Sequence, residues 1–228
     1  MDLKEIKEKL GINNFSEIPQ LKMYHLSYNE KYRLFLINEK SIFENNCKMI
    51  KGFAAILRSE SDGHTYKKKY EPKVGEYEHG HIFGVELIQY ISKLKTPEFK
   101  RFKNKDELSF DYLNERLVRE NNTKDEDFKN IILQTDQANE YGNNNIGQAK
   151  FEQQVNTFLR NCASPKIQVY YEAEAIYKNK ESIPIGTRLY AHVIGDKSQL
   201  LNKITIDATK KAAVPHIPFH IFIPNVNE

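Results

Sequence analysis

The sequence has very little cysteine, no tryptophan and no long apolar run. Its two cysteines, Cys47 and Cys162, are far apart and have no neighbours at metal-ligand spacing, which excludes a zinc ribbon or a disulfide framework. No stretch approaches the roughly 18–20 apolar residues of a membrane span, and the charged residues 1–15 contain no apolar core of signal-peptide length. We therefore expect a soluble protein that is not exported by a standard signal.

The charge is nearly balanced, and the aromatic content is high enough to build a core. The 34 Lys and Arg residues against 31 Asp and Glu give a formal net charge of +3, which neither requires nor excludes a polyanionic partner. Thirteen Phe and thirteen Tyr in 228 residues argue against wholesale disorder. We expect residues 49–228 to form one domain and residues 1–48 to be an N-terminal extension with a regulatory or oligomerising role.

The hydrophobic pattern predicts strands joined mostly by short connections, with helices in the middle of the chain. Strand-like segments cover residues 23–43, 49–60, 128–135, 166–177, 186–195 and 219–226, and helical spacing covers residues 2–10, 82–91, 108–118 and 147–163. Segment 147–163 is a good amphipathic helix because Phe151, Val155 and Leu159 fall on one stripe. Since no repeated strand–helix–strand layout is visible, the pattern favours the α+β class with a central antiparallel sheet flanked by helices.

The stretch GEYEHGHIFG, residues 75–84, concentrates groups that can carry chemistry. In an extended backbone His79 and His81 point to the same side, so they are a candidate ligand pair for a transition metal. Alternatively only His81 is catalytic, because Gly80 permits a tight turn and a neutral imidazole can take a proton from water. A third interpretation is that both are ordinary loop histidines.

A second group of polar residues lies in NIILQTDQAN, residues 130–139, and in the GQAKFEQ segment that follows. Asn139 comes just after a strand-like run, where its carboxamide oxygen suits a hard cation. Gln148 and Glu152 are four residues apart and share one face of the predicted helix. Taken singly, Asn139 also fits a turn residue, and Glu152 a solvated helix residue.

Taken together, these segments resemble the DNA/RNA non-specific endonuclease family of ββα-metal nucleases, in particular its streptococcal DNase branch. Residues 78–81, EHGH, stand in place of that branch's Asp-Arg-Gly-His motif, and residues 130–139 reproduce its NIxxQTxxAN segment. Gly147, Gln148 and Glu152 match its GQxxxE helix start. With the strand-like segments after residue 50, the resemblance spans roughly residues 50–227 and implies a ββα-metal nuclease core.

The resemblance also implies a role for each matching residue. His81 would be the general base that activates the attacking water, and Asn139 the direct ligand of a single Mg²⁺ ion, with Mn²⁺ as an alternative. Glu152 would lie beside the hydrated ion and position it, and Asn130 would support the cluster by hydrogen bonding. The supporting positions in the same motifs are Glu78, His79, Gly80 and Gln148.

Two positions depart from the family's pattern. Glu78 is one methylene longer than the family's Asp, and His79 lacks the permanent charge of the family's Arg near the phosphate. These changes can lower the activity, make it more pH-dependent or alter the substrate preference. Neither removes the base, the metal ligand or the acidic helper, so we expect an active enzyme.

Two basic stretches, residues 66–73 and 92–105, interleave lysine and arginine with aromatic residues. This pattern suits contacts with the nucleic-acid backbone that carry no base specificity. The alternative is a solvated lysine-rich face. The candidate nucleic-acid-binding residues are Lys67, Lys68, Lys69, Lys100, Arg101 and Lys103.

The sequence therefore predicts a Mg²⁺-dependent, sequence-non-specific endonuclease that hydrolyses phosphodiester bonds of DNA, with RNA as a further substrate. The main alternative is a catalytically weakened protein of the same fold that binds nucleic acid or a protein partner without cutting. A third interpretation is a zinc metallohydrolase that uses His79 and His81, although His192, His216 and His220 show no ligand spacing.

A non-specific nuclease endangers the cell that makes it, which shapes the expected biology. We expect either a controlled cytoplasmic effector of phage or defence systems, a delivered toxin domain, or a secreted enzyme trimmed of its leader. The expected partners are nucleic acid, an inhibitor or immunity protein, and a second copy of the chain, but no membrane.

Overall fold

The computed structural model describes residues 4, 15–18, 23–26, 52–61, 72–91, 130–140, 147–161, 168–178, 181–194 and 217–226. Eight strands, numbered in chain order, lie in these ranges. They are β1 (Phe15–Ile18), β2 (Met23–Leu26), β3 (Gly52–Arg58), β4 (Tyr77–His81), β5 (Ile131–Thr135), β6 (Gln168–Ile176), β7 (Gly186–Ile194) and β8 (Phe219–Pro224). Three helices are described, namely α1 (Val85–Ile88), α2 (Asp136–Asn139) and α3 (Gln148–Asn161).

Six of the strands form one antiparallel sheet in the order β1-β2-β8-β7-β6-β3. The antiparallel sheet predicted from the sequence is therefore confirmed. Strands β1 and β2 lie within residues 1–48, and β2 joins the sheet by pairing Tyr24 with Phe222 and His25 with Ile221. Part of the predicted N-terminal extension thus contributes strands to the main sheet.

One face of the six-stranded sheet carries the core, because α3 packs against it. Phe151, Val155 and Leu159 of α3 are buried on this face, as the predicted apolar stripe requires. The ring of Phe151 meets that of Phe219 edge-on, with centroids 5.2 Å apart. Strand β6 is buried at all nine positions, so it is covered on both faces of the sheet.

The opposite face of the same sheet holds a buried ionic cluster. Arg188 donates to Glu172 at 2.8 Å, to Glu174 at 3.2 Å and to Nε2 of His220 at 2.9 Å. Burial alone would lower the pKa of Arg188, but the two carboxylates raise it above its usual value. His220, which showed no ligand spacing in the sequence, thus accepts a hydrogen bond from an arginine inside the sheet.

Strands β4 and β5 form a separate two-stranded antiparallel sheet. The run from Ile82 to Ile91, predicted as helical, forms only the single turn α1 and then a bridge between Ile91 and Leu57 of β3. The apolar side chains of this run, spaced three residues apart, are nevertheless all buried. A single helical turn followed by a bridge therefore buries the same residues that a longer helix would bury.

The remaining sequence-based elements are partly outside the described residues. The predicted helices at 2–10 and 108–118 fall outside them apart from Lys4, and so does the strand-like pattern at 27–43. Among the described helices only α3 exceeds one turn, so the described part of the chain is rich in sheet with few flanking helices. None of the described helices is both long and apolar enough to cross a membrane.

Candidate functional site

The two-stranded sheet of β4 and β5 divides the residues of the EHGH segment between its two faces. Gly80 lies opposite Ile132, and Glu78 opposite Gln134, on the face turned to the core. His79 and His81 lie on the other face, which is half-buried. The Nε2 atom of His81 is shielded from solvent. The two histidines therefore share one side of an extended strand, which continues without a turn at Gly80.

Asn139 is held against Gly80 by the short helix α2. The side chain of Thr135 caps this helix by accepting a hydrogen bond from the Ala138 backbone N–H at 3.2 Å. A Cβ atom added to Gly80 would lie 2.8 Å from Oδ1 of Asn139 and would overlap Oε1 of Gln134. Only glycine at position 80 allows both amide oxygens to approach the strand this closely.

Glu78 contacts the other end of the Asn139 amide and pairs with Lys73. Asn139 Nδ2 donates a long hydrogen bond of 3.4 Å to Oε2 of Glu78, which directs the amide oxygen away from that carboxylate. Lys73 Nζ lies 2.7 Å from Oε1 of Glu78 and 3.0 Å from Asp136, the first residue of α2. Burial, followed by repulsion from Glu78 and Asp136, raises the pKa of the nearby Glu140.

Glu152 projects from α3 toward the loop that follows β4. Its Oε1 atom accepts three hydrogen bonds, from Gly84 N–H at 2.7 Å, Gln148 Nε2 at 2.8 Å and the Tyr171 hydroxyl at 3.2 Å. Desolvation raises the pKa of Glu152 to about 7, although the three donors oppose the shift. A Cβ atom on Gly84 would collide with the carboxylate, so this close contact again depends on glycine.

Gln148 connects the two parts of the site. Its Nε2 atom also donates to the carbonyl oxygens of His81 and Ile82, each at 2.7 Å. Its Oε1 atom accepts from Nε2 of Gln134 at 3.1 Å, and that nitrogen also donates to the Thr187 hydroxyl at 3.0 Å. Both glutamines are fully buried, so these bonds are shielded from competing water.

Asn130 fixes the loop between β4 and α1. Its Oδ1 accepts from the backbone N–H of Phe83 and its Nδ2 donates to the carbonyl of the same residue, both at 2.9 Å. The Asn130 carbonyl also accepts from Ile82 N–H at 2.8 Å. Just beyond the end of β4, the Asn130 side chain thus makes the two hydrogen bonds with the Phe83 backbone that a neighbouring strand would otherwise make. These bonds hold the next residue, Gly84, where the Gly84 N–H reaches Glu152.

Sequence reasoning missed three residues that make these contacts. Lys73 belongs to the basic stretch 66–73, but here its ammonium group pairs with carboxylates. Gln134 is an inward position of β5 by strand alternation, and Tyr171 is an inward position of β6. For Tyr171 this alternation was the available signal, whereas Gln134 is also the glutamine of the NIxxQTxxAN segment. The predicted nucleic-acid-binding residues Lys67–Lys69, Lys100, Arg101 and Lys103 lie outside the described residues.

The donor atoms at this site suit a hard divalent cation. Asn139 offers an amide oxygen beside Gly80, and Glu152 offers a carboxylate of which one oxygen is already occupied by three donors. The described residues contain no group of three or more His, Cys, Asp or Glu placed to hold a metal ion. The residues that would hold such a cation are Asn139 and Glu152, because amide and carboxylate oxygens are the ligand types that Mg²⁺ binds.

Comparison with known proteins gives only distant likenesses. No family model and no curated protein matches the chain. A solved structure described as an extracellular endonuclease is 17% identical, with a TM-score of 0.43 over 81% of this chain and 76% of its own. Another, an extracellular nuclease, is 15% identical, with a TM-score of 0.41 over 80% and 81%.

A third solved structure, Sda1 nuclease with a bound zinc ion, is 17% identical. Its TM-score is 0.38 over 80% of this chain and 71% of its own. At these identities and TM-scores the likenesses assign neither a family nor an activity to the chain.

Proposed function

We propose that the chain is a Mg²⁺-dependent, sequence-non-specific endonuclease, with β4, β5 and α3 as its ββα-metal core. One observation supports this function best. Asn139 lies against Gly80 and Glu152 lies against Gly84. His81 lies between these two glycines, at the end of β4, with its side chain on the strand face opposite Gly80. Residues 80–84 thus carry the imidazole of His81, and the amide oxygen of Asn139 and the carboxylate of Glu152 contact the two ends of this segment.

Asn139 and Glu152 are the residues that would hold the cation. Glu78 accepts from the Asn139 amide nitrogen and so keeps the amide oxygen directed toward Gly80. The donors on Oε1 of Glu152 fix its carboxylate and leave Oε2 for the cation and its water. Mg²⁺ bound there would neutralise the negative charge that grows on the phosphodiester during hydrolysis.

His81 is the proposed general base. The hydrogen bond from Gln148 to its carbonyl oxygen and the pairing of β4 with β5 fix the backbone that carries the ring. Its Nε2 atom is shielded from solvent, so transfer of a proton from water to this atom requires a local opening of the site. The proposed substrate is DNA, with RNA as a second candidate, and contacts with the phosphate backbone alone would make the cleavage independent of sequence.

The first alternative is a protein that binds nucleic acid without cutting it. The observation that favours it is the pair Glu78 and His79, which stands where the resembled family has Asp and Arg, because His79 lacks the permanent positive charge of that arginine. The second alternative, a zinc metallohydrolase, is favoured by the shared face of His79 and His81.

A plasmid-nicking assay separates these functions. We expect the wild-type protein to nick plasmid with Mg²⁺ and to be inactive in EDTA, and His81→Ala to lower the rate at least about 100-fold, the lower range of general-base catalysis. The matched control is His79→Ala, which removes an imidazole from the same face of β4 and should keep most of the activity. Single-stranded DNA and RNA tested alongside give the substrate preference.

Three results would count against this function. Cleavage that survives His81→Ala removes the assigned base. Equal loss in both histidine variants, with stoichiometric zinc in the purified protein, supports the zinc metallohydrolase. Binding of DNA without any cleavage under all metal conditions supports the binding protein.

The basic residues at 67–69, 100, 101 and 103 remain proposed phosphate contacts. Control of the activity by an inhibitor or by residues 1–48, and self-association, are proposals of the same standing. Deletion of residues 1–48 removes β1 and β2 from the main sheet, so a changed association state in that variant has to be compared with its folded stability.

A further inference from the structure

Tyr171 stands on the core-facing side of β6 with small neighbours on both adjacent strands. Its cross-strand partners are Ala55 in β3 and Ala191 in β7. The ring therefore rises from the sheet toward α3 with no large side chain directly opposite it on either adjacent strand, and it is fully buried. Its hydroxyl group reaches Oε1 of Glu152, 3.2 Å away.

The position of the ring is fixed by the loop that precedes α1. Phe83 meets Tyr171 edge-on, with centroids 5.2 Å apart. The backbone of Phe83 is itself held at both its N–H and its carbonyl by the Asn130 side chain. A continuous chain of contacts therefore runs from Asn130, just before β5, through Phe83 and Tyr171 to the Glu152 carboxylate.

We infer that Tyr171 is a positioning residue that fixes the rotamer of Glu152 through its hydroxyl group, which rests on the proposed nuclease function. The other two donors to Oε1, Gly84 N–H and Gln148 Nε2, come from the loop and from α3 itself. Of these three donors to Oε1, Tyr171 alone belongs to the main sheet. It therefore connects the Glu152 carboxylate to the six-stranded sheet, whereas the other two donors connect it to the loop after β4 and to α3.

The neighbouring Tyr170 offers a matched control. It is also fully buried in β6, but it points to the opposite face, where its hydroxyl donates to Glu172. Tyr170→Phe and Tyr171→Phe each remove one buried hydroxyl that donates to a carboxylate, Glu172 on the same strand or Glu152 on α3. Only Tyr171→Phe removes a donor from the candidate site.

The test uses the full chain and measures kcat, Mg²⁺ affinity, KM for DNA and the melting temperature of each variant. We expect Tyr171→Phe to lower kcat and to weaken Mg²⁺ binding by about 10-fold or more, as loss of an outer support for a metal site does, with KM for DNA unchanged. We expect Tyr170→Phe to keep all three values within about 2-fold while lowering the melting temperature as much or more. Equal effects of the two substitutions on kcat would overturn the inference.

A metal-free measurement separates this inference from the proposed function. The ¹³C carboxyl resonance of Glu152, assigned by its absence in Glu152→Gln, is recorded in EDTA at one alkaline pH. We expect it to move in Tyr171→Phe and to stay in place in Tyr170→Phe. If the wild-type protein does not cleave, the proposed function fails, but a moved resonance still supports the positioning role and an unmoved one overturns it.

Discussion

At the scale of single residues, the two glycines of the GHIFG segment decide what can approach the strand. Gly80 leaves room for the amide oxygens of Gln134 and Asn139, and Gly84 leaves room for the Glu152 carboxylate. A methyl group at either position would occupy the place of an oxygen atom. The sequence shows both glycines, but it does not show which side chains fill the space beside them.

Glu152 gives a prediction about pH because burial raises its pKa from 4.5 to about 7. A carboxyl group that binds its proton more tightly when folded stabilises the fold below its unfolded pKa. This contribution is lost as the pH rises from about 4.5 to about 7, and the full shift corresponds to at most about 3 kcal/mol. We expect the metal-free wild type to lose stability over this interval and Glu152→Gln to show a flatter profile.

Urea denaturation in EDTA at several pH values measures this difference. The relevant quantity is the change in unfolding free energy of the wild type minus that of Glu152→Gln. Parallel profiles of the two proteins between about pH 4.5 and 7 would show that the carboxylate is not desolvated as described.

At the scale of elements, the side chain of Gln148 joins the first turn of α3 to the two-stranded sheet of β4 and β5. Gln148 donates to the carbonyl groups of His81, the last residue of β4, and of Ile82, and it accepts from Gln134 in β5. These contacts hold the helix and the strands that carry the proposed catalytic groups in one arrangement. The short helix α2 is held in a similar way by its cap, Thr135, whose hydroxyl also donates to the Val226 carbonyl.

Replacement of Gln148 by Met tests this connection, because Met has a similar length but no N–H group. Unsatisfied buried carbonyls cost about 1–3 kcal/mol each, so we expect a loss of at least about 2 kcal/mol in unfolding free energy together with reduced cleavage. Gln153→Met on the same helix is the control, since Gln153 is exposed and should change stability by less than about 0.5 kcal/mol. Similar unfolding free energies for the two variants would contradict the proposed role of Gln148.

At the scale of the whole molecule, the two sheets are joined by amide side chains. Asn225, just after β8, accepts from Thr135 N–H at 2.7 Å and donates to the Leu133 carbonyl at 3.0 Å. Gln134 makes a second connection to Thr187 in β7. The two-stranded sheet of β4 and β5 is therefore positioned by the larger sheet as well as by α3.

The ionic cluster on the far face of the large sheet gives a prediction about stability alone. Arg188→Met leaves Glu172 and Glu174 buried without their cation, and such losses typically cost about 3–5 kcal/mol. We expect this loss in denaturant unfolding, with the kcat of the folded fraction retained, because the cluster lies across the sheet from the candidate site.

Combining Arg188→Met with Glu172→Gln and Glu174→Gln should restore part of the lost stability, since no unpaired charge then remains. The exposed Arg160→Met serves as the control for removal of a positive charge. An Arg188→Met variant as stable as Arg160→Met would show that the cluster is not a stabilising pair of ions.

The sequence by itself determined the strands β3, β5, β6, β7 and β8 and the helix α3, because each follows from a regular spacing of apolar residues. It also indicated the residues of the candidate site through local motifs. It could not predict the length of α1, since the same spacing fits a single turn followed by a bridge.

Only the tertiary structure decided which groups meet. The contacts of Tyr171 with Glu152, Gln134 with Thr187 and Lys73 with Glu78 join residues 19, 53 or 5 positions apart on different elements or across a turn. Local spacing fixes the direction of a side chain within its own strand or helix. The partner is set by how the elements pack, because the burial of apolar faces brings distant polar groups together.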